Sequence, residues 1–388
     1  MRIPDIMIAG LRLPGQIPQR STSRRAIVLC PGSDAGAVPG PSITNRRLSV
    51  LFSLNLSIVV FGIAAVTIIT AGSRLARLSD DLADRSGLGE ALFGVLLLGS
   101  VTSLPDLAAT LSAAIDERAD LAMSNVMGSM AVNLAFLGIA DIVYRKANLE
   151  HAAASPVNLM LAALLIVLLT LPLLAIATPP LAVLGVHPVT PVIVAAYLFG
   201  LYLVHHTQAK PMWFPRQTRQ TVPDIPDRRR RGGFLGDWPG FIVLAVVTCI
   251  AGWVLMEAAK VIADQTGLSD TVVGGIFTAL ATSTPELVTT IAAIRCGALT
   301  LGVSNIFGTN CFNMLVVAAA DVGYLHGSIY HDVAPVQMMW GLVTILMSAI
   351  LLLGMLRRET YGIGRIGFES ALILVVYGVA LCLIVVYS

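Results

Sequence analysis

Charge is what this chain has least of. Asp, Glu, Lys and Arg make up 12% of its 388 residues, where a soluble domain carries about 25%, so an ordinary water-facing surface is excluded. The 25 basic and 23 acidic side chains nearly cancel, to +2, and no nucleic-acid partner is expected. Cysteine is sparse and scattered. Cys30, Cys249, Cys296, Cys311 and Cys382 form no CxxC and no Cys/His cluster, which argues against a metal–thiolate site and a disulfide framework. Cys311 reads as a small residue for helix packing. There is no nucleophile–base pair, phosphate loop or cofactor motif, so neither an enzyme nor a bound cofactor is expected.

What fills the chain instead is apolar: 56% of it is hydrophobic, in recurring runs of roughly 20 residues, the length a helix needs to cross a bilayer. Spans are predicted near Leu48–Ala71, Leu88–Ile115, Ala119–Val143, Val157–Ala177 and Val189–His205. After a break they resume near Trp238–Ala259, Leu268–Ile294, Leu299–Val322, Val336–Leu356 and Ile366–Val386. The expected fold is an all-α integral membrane protein of about ten transmembrane helices, five on each side of a hydrophilic loop. Residues 1–47 are rich in Pro, Gly, Ser and Arg and read as a disordered tail, whose apolar patch at Ile27–Cys30 is too short for a signal sequence. A separate amphipathic segment is expected near Ser73–Ser86. The domains are then 1–47, a first five-helix repeat over 48–206, a basic loop over 207–236 containing Arg228–Arg231, and a second five-helix repeat over 237–388.

The basic residues report topology. If the central loop is cytoplasmic, the other cytoplasmic connections hold Arg74, Arg77, Arg85, Arg145, Lys146, Arg295, Arg357, Arg358 and Arg365, and the outer ones only Arg118 and Lys260. That is the positive-inside pattern. It puts the amino terminus outside, although Arg46 and Arg47 flank the first span.

The second and third helices of each half carry one motif twice. Residues 102–141 and 282–321 align without a gap at an offset of 180, with roughly a third of positions identical. Thr102-Ser-Leu-Pro-Asp106 becomes Thr282-Ser-Thr-Pro-Glu286, and Ser124–Asn125, Gly128 and Asn133 become Ser304–Asn305, Gly308 and Asn313. Five helices per half is an odd number, so the copies enter the membrane from opposite sides, as inverted repeats. Transporters so built place their ion site near the bilayer midplane, on broken helices at the repeat interface.

Each copy sets a carboxylate after a proline inside an apolar segment. Thr102 and Asp106 share a helix face, as do Ser129 and Asn133, Thr282 and Glu286, and Thr309 and Asn313. Pro105 and Pro285 are expected to kink their helices and free nearby carbonyls. Carboxylates, hydroxyls, amide oxygens and carbonyls form a hard, oxygen-only set suited to Ca²⁺ or Na⁺. Two carboxylates neutralise one divalent cation; without it they repel, and one could take up a proton. An intramembrane acid is costly and functional by default, and two at equivalent positions strengthen that reading. Asp141 and Asp321, closing each copy, are expected at the water interface, and Glu257 and Lys260 as helix-end charges. Trp213, Trp238 and Trp253 read as interfacial or packing aromatics, and His205–His206 as an interfacial pair.

Val101-Thr-Ser-Leu-Pro-Asp106 with Gly128-Ser-Met-Ala-Val-Asn133, and Ala281-Thr-Ser-Thr-Pro-Glu286 with Gly308-Thr-Asn-Cys-Phe-Asn313, resemble the α-repeats of the sodium/calcium exchangers of the cation/Ca²⁺ exchanger superfamily. The resemblance implies an antiporter of a bacterial plasma (inner) membrane that exchanges Ca²⁺ for Na⁺ by alternating access, the first and sixth helices sliding past a core made of helices two, three, seven and eight. It implies that Asp106 and Glu286 coordinate Ca²⁺, with Thr102, Ser103, Thr282 and Ser283 lending backbone or hydroxyl oxygens. Ser129 and Thr309 would ligate Na⁺, and Asn133 and Asn313 would supply side-chain oxygens. The chain departs from the pattern at Asp106, a methylene shorter than Glu, at Met130 in place of Asn, and at Thr309 in place of Ser. Asn313 stands where potassium-dependent members have Asp, so K⁺ is not expected as cargo. The expected partners are Ca²⁺, Na⁺, H⁺ as an alternative coupling ion, and membrane lipid. The rival readings are a cation/proton exchanger of the same fold and a non-transporting scaffold or sensor derived from it.

Overall fold

In the computed structural model, residues 53–86, 99–144, 148–153, 155–183, 185–209, 238–357 and 367–387 are described. The tail over 1–47, Trp213, Arg228–Arg231 and the start of the second span at Leu88 lie outside them.

Among the described residues the long apolar runs are helical. In the first half α1 is Leu54–Ser86, followed by α2 (Gly99–Thr102), α3 (Leu104–Ile115), α4 (Ala119–Val143), a short α5 (Leu149–Ala152), α6 (Pro156–Ala177) and α7 (Val189–Ala209). The second half holds α8 (Trp238–Thr266), α9 (Asp270–Val272), a π-helical turn (Val273–Thr278), α10 (Ala279–Cys296), α11 (Leu299–Gly323), α12 (Val336–Arg357) and α13 (Phe368–Tyr387). Among the described residues nine helices are long and apolar enough to cross a membrane. The tenth expected span appears as α2 and α3. The protein is an all-α membrane protein of two inverted five-helix repeats.

Three local features differ from the sequence reading. The amphipathic segment expected at Ser73–Ser86 is no separate element but the end of α1, which runs unbroken for 33 residues, about 50 Å at 1.5 Å per residue. The two prolines also act differently. Pro105 sits in the first turn of α3, just after the chain leaves helical geometry at Ser103 (φ −81°, ψ 0°), where a missing N–H costs nothing. Pro285 lies inside the continuous α10, and the irregular backbone of that copy comes earlier, in the π turn. Such turns concentrate at functional sites.

The motif helices form the centre. Of their most apolar stretches, 83% of α4 and 72% of α11 is buried, against 22% for α1 and α13. The outer helices turn large apolar side chains outward, among them Val59, Ile63 and Val66 on α1 and Ile242, Val243 and Val246 on α8, a surface suited to hydrocarbon. The helices α1 and α8 meet in a small core of their own, Ala64, Ile68, Ala251 and Leu255 with Ala281. Each rests on a proline-bearing helix through a glycine. A Cβ on Gly252 would lie 2.5 Å from the Pro105 carbonyl oxygen, and one on Gly72 would lie 2.8 Å from Pro285 Cγ. Trp253 faces outward, and Cys311 is buried with its Sγ 3.7 Å from the Leu161 carbonyl, a packing residue as expected.

Asp141 and Asp321 correct an expectation. They are buried, not at the water interface. Asp141 accepts hydrogen bonds from Leu149 N (2.7 Å) and Gly367 N (2.9 Å). Asp321 accepts from Ile329 N (3.0 Å), His187 N (2.9 Å) and Thr190 Oγ1 (2.5 Å). Backbone amides at the starts of other elements would otherwise be orphaned donors. These clasps obey the 180-residue offset, 149 to 329 and 187 to 367, and each fastens one half's third helix to the chain entering the other half's last.

Lys260 is a second correction. It is no exposed helix-end charge: its side chain is 6% exposed and its Nζ contacts Asp116, Glu257 Oε1 (2.8 Å) and Ser112 Oγ (2.8 Å). Beside it Arg118 binds Asp270 through two nitrogens (2.5 and 2.9 Å), Asp264 (2.9 Å) and the Lys260 carbonyl (3.2 Å). This ion-pair cluster ties α8 to the α3–α4 turn.

Candidate functional site

All ten candidate ligands are buried on α2–α3, α4, α10 and α11, and side-chain contacts bring Asp106, Ser129, Thr282 and Asn313 together and join Thr102 to Thr309. Helical spacing explains the convergence. Residues 102 and 106, and 129 and 133, point the same way from one half, and their counterparts 180 residues later point back from the other. Asp106 lies in the first turn of α3, at the partly positive end of the helix dipole.

The hydroxyls pair across the repeats. Ser129 Oγ lies 3.4 Å from Thr282 Oγ1, and its counterpart Thr309 Oγ1 lies 3.4 Å from Thr102 Oγ1. The carboxylates are treated unequally. Asp106 accepts from Ser129 Oγ (2.8 Å) and Asn313 Nδ2 (3.3 Å). Glu286 has no well-formed hydrogen bond at either oxygen, the Thr102 hydroxyl being near but poorly placed. Ser103 Oγ, Ser283 Oγ, Asn133 Oδ1 and Asn313 Oδ1 are likewise buried without a hydrogen-bond partner. Buried polar atoms are almost always satisfied, and a buried charge is paired or holds a metal ion. The two Glu286 oxygens and these four are unsatisfied, a donor set that a hard cation can fill.

Some of the surrounding residues went unmarked in the sequence reading. Asn133 Nδ2 donates to Asn310 Oδ1 (3.0 Å), and Asn310 Nδ2 to the Met130 carbonyl (3.0 Å). Asn125 accepts from Thr278 Oγ1 (2.6 Å) and donates to Thr110 Oγ1 (3.0 Å), tying α4 to the π turn. The repeat alignment held the signal for Asn125 and Asn310, as polar residues one or two turns from a ligand on an otherwise apolar helix. A cavity of about 350 Å³ opens beside Ser73, Arg77, Thr289, Ala298 and Asn305, one turn beyond Glu286. His205 and His206 are exposed, and among the described residues no cluster of three His, Cys, Asp or Glu side chains could hold a metal ion.

Inverted repeats that bury a carboxylate pair among unsatisfied oxygens define a membrane ion exchanger. The comparisons with known proteins agree. The sodium/calcium exchanger protein profile matches residues 56–207 and 237–386, and the chain belongs to the sodium/calcium exchanger family. It is 25% identical over 260 residues to the inner membrane protein YrbG of Escherichia coli, covering 66% of this chain and 76% of that one. It is 21% identical over 289 residues to the sodium/calcium exchanger MaX1 of Methanosarcina acetivorans, covering 69% and 82%. The fold is shared with the sodium-calcium exchanger NCX_Mj (TM-score 0.53, 19% identity, 85% of this chain and 99% of that one). It is also shared with native YfkE (TM-score 0.57, 17% identity, 88% and 98%).

Proposed function

We propose that this protein is a secondary antiporter that exchanges Ca²⁺ for Na⁺ by alternating access. The observation that carries the reading is the buried cluster of unsatisfied oxygens around Asp106 and Glu286. Two carboxylates balance one Ca²⁺, and Ser103, Ser283, Asn133 and Asn313 extend the set toward the six to eight oxygens this ion takes. Thr102, Thr282, Ser129 and Thr309 lend the hydroxyls and backbone oxygens that smaller charges need, so Na⁺ fills the same space. The site is too costly to cross the membrane empty, which couples the two fluxes.

Charge bias favours a cytoplasmic central loop and an outer amino terminus, similarity to the inner membrane protein YrbG supports a bacterial inner membrane, and lipid lies against the apolar faces of α1 and α8. On that topology the cavity at Ser73, Arg77, Thr289 and Asn305 opens to the cytoplasm. The equivalent positions at the other end include Glu257, Ser112, Arg118 and Asn125, where Ser112 and Lys260 bind Glu257 and Arg118 binds the Lys260 carbonyl, beside a smaller cavity of about 180 Å³ at Trp253 and Glu257. A larger cavity at one end than at its counterpart supports a reading by alternating access. The small separate core of α1 and α8 lets that pair move against the rest.

The test is radiolabelled Ca²⁺ uptake into proteoliposomes under an outward Na⁺ gradient, with an outward proton gradient in parallel. Uptake driven by Na⁺ and lost in Glu286→Ala supports the reading. Uptake driven only by protons makes H⁺ the coupling ion. No uptake under either gradient, from folded protein, removes Ca²⁺ as the cargo.

A further inference from the structure

Asn133 and Asn313 are equivalent, buried, and alike in leaving Oδ1 unpartnered, yet their amide nitrogens serve different acceptors. Asn133 Nδ2 donates to Asn310 Oδ1 at 3.0 Å. The residue 180 positions before Asn310 is Met130, also fully buried, whose thioether is only a weak acceptor. Asn313 therefore has no side-chain amide to meet, and its Nδ2 turns to Asp106 Oδ2 at 3.3 Å. The mirror bond, Asn133 to Glu286, is absent: the Asn133 amide is turned toward Asn310, and neither Glu286 oxygen receives it. One side-chain difference thus decides which carboxylate carries an amide hydrogen bond.

We propose that Met130 is a positioning residue that tunes the preference of the site between divalent and monovalent cations, acting through Asn313 on Asp106. The inference rests on the reading of this cluster as the transported-ion site. An N–H on a carboxylate occupies a lone pair and offsets part of its charge. The resulting loss of attraction is twice as large for a divalent as for a monovalent cation. Met130 thus weakens the first half-site for Ca²⁺ more than for Na⁺, and leaves Glu286 as the stronger ligand.

Two substitutions test this in opposite directions. Met130→Asn offers Asn313 the partner that Asn133 already has and frees Asp106. Asn310→Met releases Asn133 toward Glu286. In purified full-length protein, thermal stabilisation by Ca²⁺ and by Na⁺ gives the half-saturating concentrations. Met130→Asn is expected to lower that for Ca²⁺ about threefold to tenfold, the effect of withdrawing one competing charge-assisted hydrogen bond, with a smaller change for Na⁺. Asn310→Met is expected to raise it. Equal Na⁺ and Ca²⁺ shifts, or no shift in either variant, would overturn the proposal. An infrared readout separates it from the function itself. The Asp106 carboxylate stretch, assigned by its loss in Asp106→Asn, should move in the cation-free Met130→Asn protein. That shift in a protein that neither binds nor moves Ca²⁺ upholds the Asn313 bond while the exchanger reading fails. An unmoved band sinks the role of Met130 whatever the cargo.

Discussion

The two halves share a backbone plan and diverge in how they hold charge. Asp106 and Glu286 occupy the same place in two copies of one motif, but Asp106 has two hydrogen-bond donors and a helix amino terminus beside it, whereas Glu286 sits mid-helix with no well-formed hydrogen bond. The flanking ends differ in the same sense. In the second half α8 carries the buried Lys260 into a partly exposed ion-pair cluster, while the first half's equivalent position is Asp80. Pseudo-symmetry fixes where the oxygens converge. The departures from it decide which oxygens are already engaged and which wait for a cation.

The comparison breaks most visibly at the carboxylates. Neutralising either one beside a divalent cation forfeits more than about 4 kcal/mol at an effective dielectric constant of 20. Glu286→Gln and Asp106→Asn are therefore both expected to cut Ca²⁺ flux by at least about a hundredfold, measured as initial uptake into proteoliposomes. They should part company in stability. Without cations Glu286→Gln removes a buried, poorly partnered acid and should raise the melting temperature. Asp106→Asn disturbs two existing hydrogen bonds and should not. Equal melting temperatures would mean that the two acids are held alike.

Next in size is the ion-pair cluster. Lys260→Met leaves the partly exposed Asp116 and Glu257 without their cation, a loss of about 1–3 kcal/mol, read by thermal or chemical unfolding in detergent. Lys260→Arg should recover part of it. The close approaches of α1 and α8 are of similar size. Gly252→Ala drives a methyl into the Pro105 backbone, while Gly72→Ala meets the edge of the Pro285 ring, which can give. Overpacking costs about 1–3 kcal/mol, with Gly252→Ala at the upper end and Gly72→Ala at the lower. If α8 slides on Pro105 during transport, Gly252→Ala should also slow flux more than its loss of stability explains.

Much of this was legible in the sequence, for physical reasons that can be named. A hydrocarbon solvent forces helices of fixed length, so spans and their number follow from hydropathy. A repeated polar motif in apolar surroundings needs a reason, so Asp106, Glu286 and their hydroxyl and amide companions stood out. What escaped was set by distant partners. Whether Asp141 meets water or Gly367 depends on a residue 226 positions away, and Asp321 meets His187 across 134. Lys260 sits near the end of its helix, but its neighbours Ser112 and Asp116 come from the other half. The departure at Met130 was visible as a letter; its effect on Asn313 and Asp106 needed the crossing of four helices.

The smallest difference lies at the turns that follow the two carboxylate helices, and it isolates the backbone. Glu117 and Gly297, 180 residues apart, both adopt positive φ, 63° and 89°. The hydrogen bonds around them match. Glu117 N and Arg118 N donate to Ala114 O and Ala113 O at 3.1 and 3.0 Å, and Gly297 N and Ala298 N to Ile294 O and Ala293 O at 3.1 and 2.9 Å. A Cβ at Gly297 would meet nothing within 4 Å, so Gly297→Ala should cost the left-handed strain, about 1–2 kcal/mol, less about 0.4–1 kcal/mol of unfolded-chain entropy. At Glu117 the same strain is already present. Glu117→Gly relieves it but adds about 0.5–1 kcal/mol of unfolded-chain entropy, and it removes an exposed contact with His326 (3.0 Å). The expected net change is under about 1 kcal/mol. Unfolding midpoints of the two variants compare the turns directly. A Glu117→Gly gain larger than the Gly297→Ala loss would mean that the first turn stores strain which the ion pairs beside it, at Lys260 and Arg118, hold in place.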